Sequence, residues 1–93
     1  MPEESNDLSA PCRIEIIIDA LTFSSTSAWM ALNTQSLGEF RNGTVFTAQT
    51  GFKDNFLRVT NLLGTQLLVY YFEARNGESV KLRFTGRSFN PCL

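Results

Sequence analysis

The sequence predicts an all-β fold, a small antiparallel β-sandwich or jelly-roll-like domain. Two observations carry this prediction: alternating isoleucines open the folded region, and an Asn-Gly pair at 76–77 separates two stretches rich in strand-forming residues. The 93 residues suffice for one domain with a modest core and leave no room for a second. Strands are predicted at residues 13–23, 28–33, 39–41, 44–48, 56–61, 67–74 and 79–85.

Residues 1–11 are predicted to be a flexible acidic tail, and residues 12–93 to form the single β-rich domain. The tail is acidic and polar, unlike the basic and then apolar sequence of a signal peptide. Eight Lys and Arg against nine Asp and Glu leave a net charge of −1, too mild to indicate a nucleic-acid partner. No apolar run approaches the length of a membrane span.

The first two predicted strands differ in what they bury. In the first, Ile14, Ile16 and Ile18 alternate with mostly polar positions, and Ile17 on the polar side suggests that the strand is covered on both faces. Residues 24–27 are then predicted to form a loop. The second strand carries Trp29, which we expect to anchor the core because an indole buries a large apolar area. The alternative is an exposed Trp29 that stacks on a sugar.

The middle of the chain is predicted to contain a short hairpin. Its strands, 39–41 and 44–48, flank an Asn42-Gly43 pair and follow a turn at residues 35–38. Residues 49–55 are predicted to form a loop before the strand at 56–61. The C-terminal tail beyond residue 85 could lie along a sheet edge.

Residues 65–85 are predicted to form the central hairpin, closed by a type I′ turn at Asn76-Gly77. Both central positions of such a turn have positive φ, which costs Asn little and Gly almost nothing. The turn fixes the register, and alternation then sorts the side chains. One face, predicted to be core, carries Val69, Tyr71, Val80, Leu82 and Phe84, and the other carries Leu68, Tyr70, Phe72, Lys81, Arg83 and Thr85.

The second face of this hairpin is the candidate binding surface. Tyr70 is expected opposite Arg83, and Phe72 opposite Lys81, because cations pack favourably on aromatic rings across a strand pair. These four residues and Trp29 are the candidate binding residues. The alternative is that another part of the chain covers this face, so that Tyr70 and Phe72 belong to the core.

A helical interpretation of part of the same region predicts a different fold. Apolar residues between 56 and 74 recur at intervals of three to four, and Gly77 could end a helix. This alternative is an OB-fold-like β-barrel with one helix at about 53–76. The run from Val69 to Phe72 favours strands instead.

Two cysteines, Cys12 and Cys92, bracket the folded region. A disulfide between them would close a loop of about 80 residues and stabilise the fold by about 4 kcal/mol in the chain-entropy view. We expect the disulfide, either within one chain or between subunits. The compartment is unknown from the sequence, but an extracellular or surface-exposed location is favoured if the bridge forms.

The chain lacks the residues of common catalytic sites. It has no histidine, which excludes Ser-His-Asp and Cys-His arrangements and His-bearing metal sites, and two cysteines alone make no zinc site. Neither a phosphate-binding glycine loop nor a calcium loop occurs. We therefore expect a non-enzymatic protein without cofactor or metal.

The order LRVTN, short turn, apolar strand and NGESVKLRFTG resembles small β-sandwich and jelly-roll subunits that build filaments and coats, such as spore-appendage proteins with cysteines in their terminal arms. With residues 53–76 helical, the chain would instead resemble the OB-fold B subunits of AB5 toxins, which bind glycans. The first resemblance implies a structural or interaction subunit that associates with itself or another protein through strand edges and the aromatic and basic face. The second implies a small carbohydrate-binding module.

Overall fold

Every regular element of the structure is a β-strand. The computed structural model describes residues 6–19, 28–61 and 63–91 and has no helix within them, so the alternative prediction of a helix at about 53–76 is wrong. The end of the predicted first strand and the predicted loop at 24–27 lie outside the described residues. The strands are β1 (Asp7–Ile18), β2 (Ala28–Leu32), β3 (Gln35–Phe40), β4 (Val45–Phe52), β5 (Asp54–Asn61), β6 (Gln66–Glu73), β7 (Ser79–Phe84) and β8 (Phe89–Pro91).

The described strands form two four-stranded sheets. Sheet 1 has the order β4-β1-β7-β8, and sheet 2 has the order β3-β2-β5-β6. β1 and β7 run parallel, whereas the other neighbouring strands pair antiparallel. The sheets pack face to face around one apolar core, which confirms the predicted all-β sandwich.

Strand alternation builds the core, because one side chain in two points between the sheets. The predicted inward set of β1, Ile14, Ile16 and Ile18, is confirmed, with each at most 1% exposed. Phe40 of sheet 2 meets Phe84 of sheet 1 edge to face, with ring centroids 5.6 Å apart. The buried apolar residues on the strands are Cys12, Ile14, Ile16, Ile18, Leu82, Phe84 and Phe89 in sheet 1, and Ala28, Met30, Leu32, Phe40, Leu57 and Val59 in sheet 2.

β6 and β7, predicted as the two strands of one hairpin, lie in different sheets, so the hairpin prediction is wrong. The Glu78 N–H donates to the Arg75 carbonyl oxygen at 3.1 Å, and Gly77 has a φ of +67° while Asn76 has a negative φ. This combination is that of a type II turn rather than type I′. A type II turn splays its flanking strands, and here the chain passes from the edge of sheet 2 into the interior of sheet 1.

The Asn76 side chain fastens the start of β1. Its Oδ1 accepts the Ser9 N–H at 2.8 Å and the Ala10 N–H at 3.3 Å. The Gly77 N–H in turn donates to the Ala10 carbonyl oxygen at 3.3 Å. β1 begins two residues before Ser9, at Asp7, which pairs with Phe52 of β4, and the predicted domain boundary at residue 12 falls inside this strand.

The second predicted hairpin is also wrong, because β3 belongs to sheet 2 and β4 to sheet 1. The antiparallel neighbours in sequence are β2 with β3, β5 with β6, and β7 with β8. Asn33, with φ +56°, turns β2 into β3. The pairing of β8 with β7 confirms that the C-terminal tail lies along a sheet edge.

A buried polar cluster joins the sheets where β4 crosses to β5 through the single residue Lys53. Asn55 is 3% exposed, and its Oδ1 accepts the Thr50 hydroxyl at 2.5 Å and the Asn33 amide at 2.9 Å. The Asn55 amide donates to the Phe52 carbonyl oxygen at 2.8 Å. Because its polar atoms are satisfied, this cluster holds the crossing without the penalty of an unpaired buried group.

The predicted disulfide is not formed within the chain, because Cys12 is a free thiol buried in the core. Cys92 lies outside the described residues. Pro91 pairs with Leu82, which pairs with Ile16, so Pro91 lies two strands across and four residues along from Cys12. Strand spacings put that separation at about 16 Å, whereas bridged cysteines need Cα atoms within about 7 Å. The location inferred from a bridge therefore gains no support.

Candidate functional site

The four hairpin residues predicted as one binding face lie on two different sheets. Tyr70 and Phe72 are on the inner side of β6, where they pack against the core. Lys81 and Arg83 are on the outer side of β7, in sheet 1. The composite aromatic and basic face therefore does not exist as one surface, because it depended on the hairpin.

The outer side of sheet 1 is polar and solvated. Lys81 Nζ lies 3.5 Å from a Glu15 carboxylate oxygen, and Arg83 Nε lies 3.9 Å from an Asp19 carboxylate oxygen. Each of these side chains is between 37% and 53% exposed, so the ion pairs contribute little stability. Their positions identify a charged, water-facing surface.

Tyr70 and Phe72 close one side of the sandwich, as the second interpretation of these rings expected. The Tyr70 ring stacks on Phe89 of β8, in the opposite sheet, at a centroid distance of 5.2 Å. Phe72 stacks beside Tyr70 at 6.0 Å. Phe89 in turn packs on Phe84 at 4.7 Å. The aromatic rings thus connect β6 of sheet 2 with β8 of sheet 1, although these two strands are not hydrogen-bonded neighbours.

Trp29 points away from the core, so its predicted role as a core anchor is wrong. Its neighbours Ala28 and Met30 are buried, and Trp29 itself is half-buried on the outer side of β2. Both sides of this strand are apolar, which is why alternation alone does not reveal the inward one. Trp29 remains a candidate binding residue on the outer surface of sheet 2.

The outer side of sheet 2 carries a patch of apolar and aromatic side chains, which the outer side of sheet 1 lacks. Polar residues border this patch on the same face: Ser36, Glu39, Asp54, Thr60 and Glu73. Phe56 pairs across the strands with Tyr71, with their ring centroids 6.1 Å apart. Arg58 is flanked by Ala31 on β2 and Val69 on β6. We define the sheet 2 outer face as Trp29, Ala31, Phe56, Arg58, Val69 and Tyr71.

Exposed apolar side chains continue from this face to the β5–β6 loop. Tyr71 is 76% exposed, Leu67 is 49% exposed and Leu63 is 87% exposed. Asn61 orders the loop, because its Oδ1 accepts the N–H groups of Leu63 (3.0 Å) and Thr65 (2.9 Å). Leu63 is therefore displayed to solvent by a hydrogen-bonded turn.

β6 is an edge strand whose central part, residues 68–72, contains no charge, proline or bulge that would protect it against pairing. It pairs only with β5 and contains neither Lys, Arg nor Pro across Gln66–Glu73. A bulge at Leu67 interrupts its pairing with β5, and the strand is regular from Leu68 onward. By contrast, β8 on the same side of sheet 1 has three residues and ends at Pro91. Long apolar edges without such protection are where strands from other chains add.

A groove of about 930 Å³ runs over the C-terminal end of β6. Tyr70, Tyr71 and Phe72 contribute aromatic rings to it, so the groove spans both sides of the strand. It is lined by Asp54, Asn55, Tyr70, Tyr71, Phe72, Glu73, Arg75 and Glu78, which include three carboxylates and one guanidinium group.

No group of three or more Cys, Asp or Glu side chains in the described part of the chain could hold a metal ion. Burial, aided by the negative charge of Glu78, raises the pKa of the Cys12 thiol, which therefore stays protonated and poorly nucleophilic. Among the described residues there is also no helix long and apolar enough to cross a membrane.

Fold and site together define a class of protein: a two-sheet β-sandwich with one polar outer face, one outer face that carries an apolar patch, and an open strand edge beside that patch. Comparisons with protein-family models, with curated proteins and with solved structures found no match. Sequence reasoning missed Phe56 and Leu67 as surface residues and placed Val69 and Tyr71 in the core. The alternation of Leu67, Val69 and Tyr71 was visible, but the equally apolar alternation of Leu68, Tyr70 and Phe72 hid which set points outward.

Proposed function

We propose that this protein is a non-enzymatic structural or interaction subunit that associates with a protein partner through the sheet 2 outer face and the free edge of β6. The observation that carries the proposal is the combination of an unpaired strand edge with exposed apolar side chains on that strand, Leu67 and Tyr71. Single exposed apolar residues are ordinary on protein surfaces. A contiguous set along an unpaired edge is not, and it favours strand addition.

The asymmetry of the two outer faces supports the same proposal. Sheet 1 presents the ion pairs of Lys81 and Arg83, which interact favourably with water. Sheet 2 presents Tyr71 and the half-buried Trp29 around Arg58. Tyr, Trp and Arg side chains are enriched among the residues that dominate binding energy in interfaces. The aromatic ones bury much area for little side-chain entropy. Sheet 2 is therefore the side on which a partner gains most.

Sedimentation velocity across a range of protein concentrations tests this proposal. The double change Leu67→Ser and Tyr71→Ser should abolish association while the far-UV spectrum stays β-type, because both side chains are exposed before association. The matched control is Val45→Ser with Phe52→Ser on β4, which also replaces two exposed apolar side chains, 52% and 44% exposed, but on a strand of the other sheet. Association that persists in the β6 variant, or disappears equally in the control, would contradict the proposal.

A second candidate, carbohydrate binding, is favoured by the composition of the groove at β6. The exposed Tyr71 ring offers a stacking surface, and the carboxylates of Asp54 and Glu73 with the Arg75 guanidinium offer hydrogen-bonding partners for hydroxyl groups. A glycan array followed by calorimetric titration tests this candidate. Tyr71→Ala should remove binding, whereas Lys81→Ala, on the opposite sheet, should leave it unchanged; no bound glycan would exclude the candidate.

A further inference from the structure

We infer that the partner is a second copy of this chain, and that β6 of each copy pairs antiparallel with β6 of the other around a two-fold axis at Val69. The inference rests on the proposed function, since it names the partner and the register for the association of that same edge. Pairing of this kind would join the two copies of sheet 2 into one eight-stranded sheet.

The register follows from the positions of the exposed apolar side chains. Leu67, Val69 and Tyr71 occupy the outer side of β6, and Leu67 and Tyr71 are its two exposed apolar residues. A two-fold axis at Val69 places Leu67 of each copy opposite Tyr71 of the other, so the exposed pair is covered twice. An axis at Tyr70 would instead put Leu67 opposite the Glu73 carboxylate. The axis at Val69 puts Glu73 opposite Thr65, which is neutral.

Charge is compatible with this arrangement. Glu73 is the one charged residue of β6, and the two-fold axis keeps the two copies of it at opposite ends of the interface. Arg58 pairs with Val69 from within the same chain, one strand behind the edge. The two Arg58 positions would then lie three strand spacings apart, about 14 Å, which exceeds the screening length of about 8 Å at physiological salt.

The two edges of sheet 1, β8 and β4, are poorer partners for β6 than a second β6 is, which favours a closed pair over an open chain of subunits. β8, beside β6 on the other sheet, has three residues and includes Pro91, which cannot donate a ladder hydrogen bond. The β4 edge shows Val45, Thr47 and Gln49 on its outer side. Pairing β6 with β4 would therefore set at least one polar side chain against Leu67 or Tyr71. Two identical edges pair isologously and close after two copies.

Disulfide trapping tests the register directly. In the proposed dimer the two copies of Val69 face each other, so Val69→Cys should cross-link quantitatively to a covalent dimer under mild oxidation. Tyr71→Cys is the matched control, because its two copies would lie about 13 Å apart along the strands. Wild-type protein, treated in the same way, shows whether Cys12 or Cys92 forms cross-links of its own. Cross-linking at 71 but not at 69, or at neither position in a protein that still associates, would overturn the inference and leave the proposed function standing.

A charged substitution tests the same contact without a cross-linking reaction. Val69→Glu places two carboxylates face to face across the axis while each can pair with Arg58 of its own chain, so we expect a folded monomer with at least a hundredfold weaker association. Val69→Thr should keep the dimer, and Thr47→Lys on β4 should leave it unaffected. An unchanged dimer in Val69→Glu, or open-ended polymers that Thr47→Lys dissolves, would overturn the inference. So would a wild-type chain that stays monomeric, although the proposed function with a different protein partner would survive that result.

Discussion

At the residue scale, the conformation of Gly77 decides where the chain leaves sheet 2. Gly77 has a φ of +67°, and a Cβ added there would meet no atom within 4 Å, so the cost of a side chain is backbone strain alone. We expect Gly77→Val to lower the free energy of unfolding by about 1 to 3 kcal/mol in urea titrations. Gly51, equally open but without a positive φ, is the control: Gly51→Val should be neutral or stabilising. Equal losses in both variants would contradict the turn assignment.

The buried Cys12 thiol should make the free energy of unfolding depend on pH in the alkaline range. Burial raises its pKa in the folded state above the ordinary value of 9.0, so the native state holds this proton more tightly than the unfolded chain. The resulting stabilisation is fully present below the unfolded pKa and is lost as the pH rises through the folded pKa. Above about pH 9, the free energy of unfolding should fall more steeply in wild-type protein than in Cys12→Ala. Parallel pH profiles for the two proteins would show that Cys12 is not buried as a thiol.

At the element scale, the positions of the strands agree with the sequence predictions better than their pairing does. The predicted strands at 67–74 and 79–85 correspond to β6 and β7, yet β6 pairs with β5, and β7 lies between β1 and β8. Local sequence determines whether a segment is extended, whereas the choice of neighbour depends on which strands are left uncovered. β1 has apolar inward residues along its whole length and needs two neighbours, which β4 and β7 supply.

A double-mutant cycle distinguishes the observed pairing from the hairpin. Tyr70 stacks on Phe89 at 5.2 Å, so Tyr70→Ala and Phe89→Ala should show a coupling energy of about 0.5 to 1.5 kcal/mol. Tyr70→Ala and Arg83→Ala should couple by less than about 0.3 kcal/mol, because these residues occupy opposite sheets. The measurement is equilibrium unfolding of the single and double variants. A larger coupling with Arg83 than with Phe89 would restore the hairpin.

At the scale of the whole molecule, the two sheets should unfold together. Phe84 contacts Phe40 of sheet 2 and Phe89 of sheet 1, so Phe84→Ala should cost about 3 to 5 kcal/mol. The transitions followed by Trp29 fluorescence, which reports on sheet 2, and by far-UV circular dichroism should coincide and shift together. Phe52→Ala, at a 44% exposed position, should shift them by less than about 1 kcal/mol. Separate transitions would mean that the sheets do not share one core.

In the candidate site, the sequence does not predict which side of β6 points outward. Tyr71 was assigned to the core and Tyr70 to the surface, and the structure reverses both, with Tyr71 76% exposed. β6 is apolar on both sides, so its alternation carries no information about direction. The position of the strand at the edge of sheet 2, over Phe89 of β8, decides it, because the inward rings find aromatic partners there.

The all-β class, the single core and the inward set of β1 follow from local sequence, because Ile14, Ile16 and Ile18 alternate with mostly polar residues and only one side of the strand can then be fully apolar on burial. The sequence also located most strands to within a few residues. Only the tertiary structure decided which sheet each strand joins and therefore which side chains face outward. The physical reason is that a turn such as the one at Asn76 and Gly77 can either reverse the chain or splay it, and the choice depends on long-range partners: here, Asn76 is held by the Ser9 and Ala10 amides of β1.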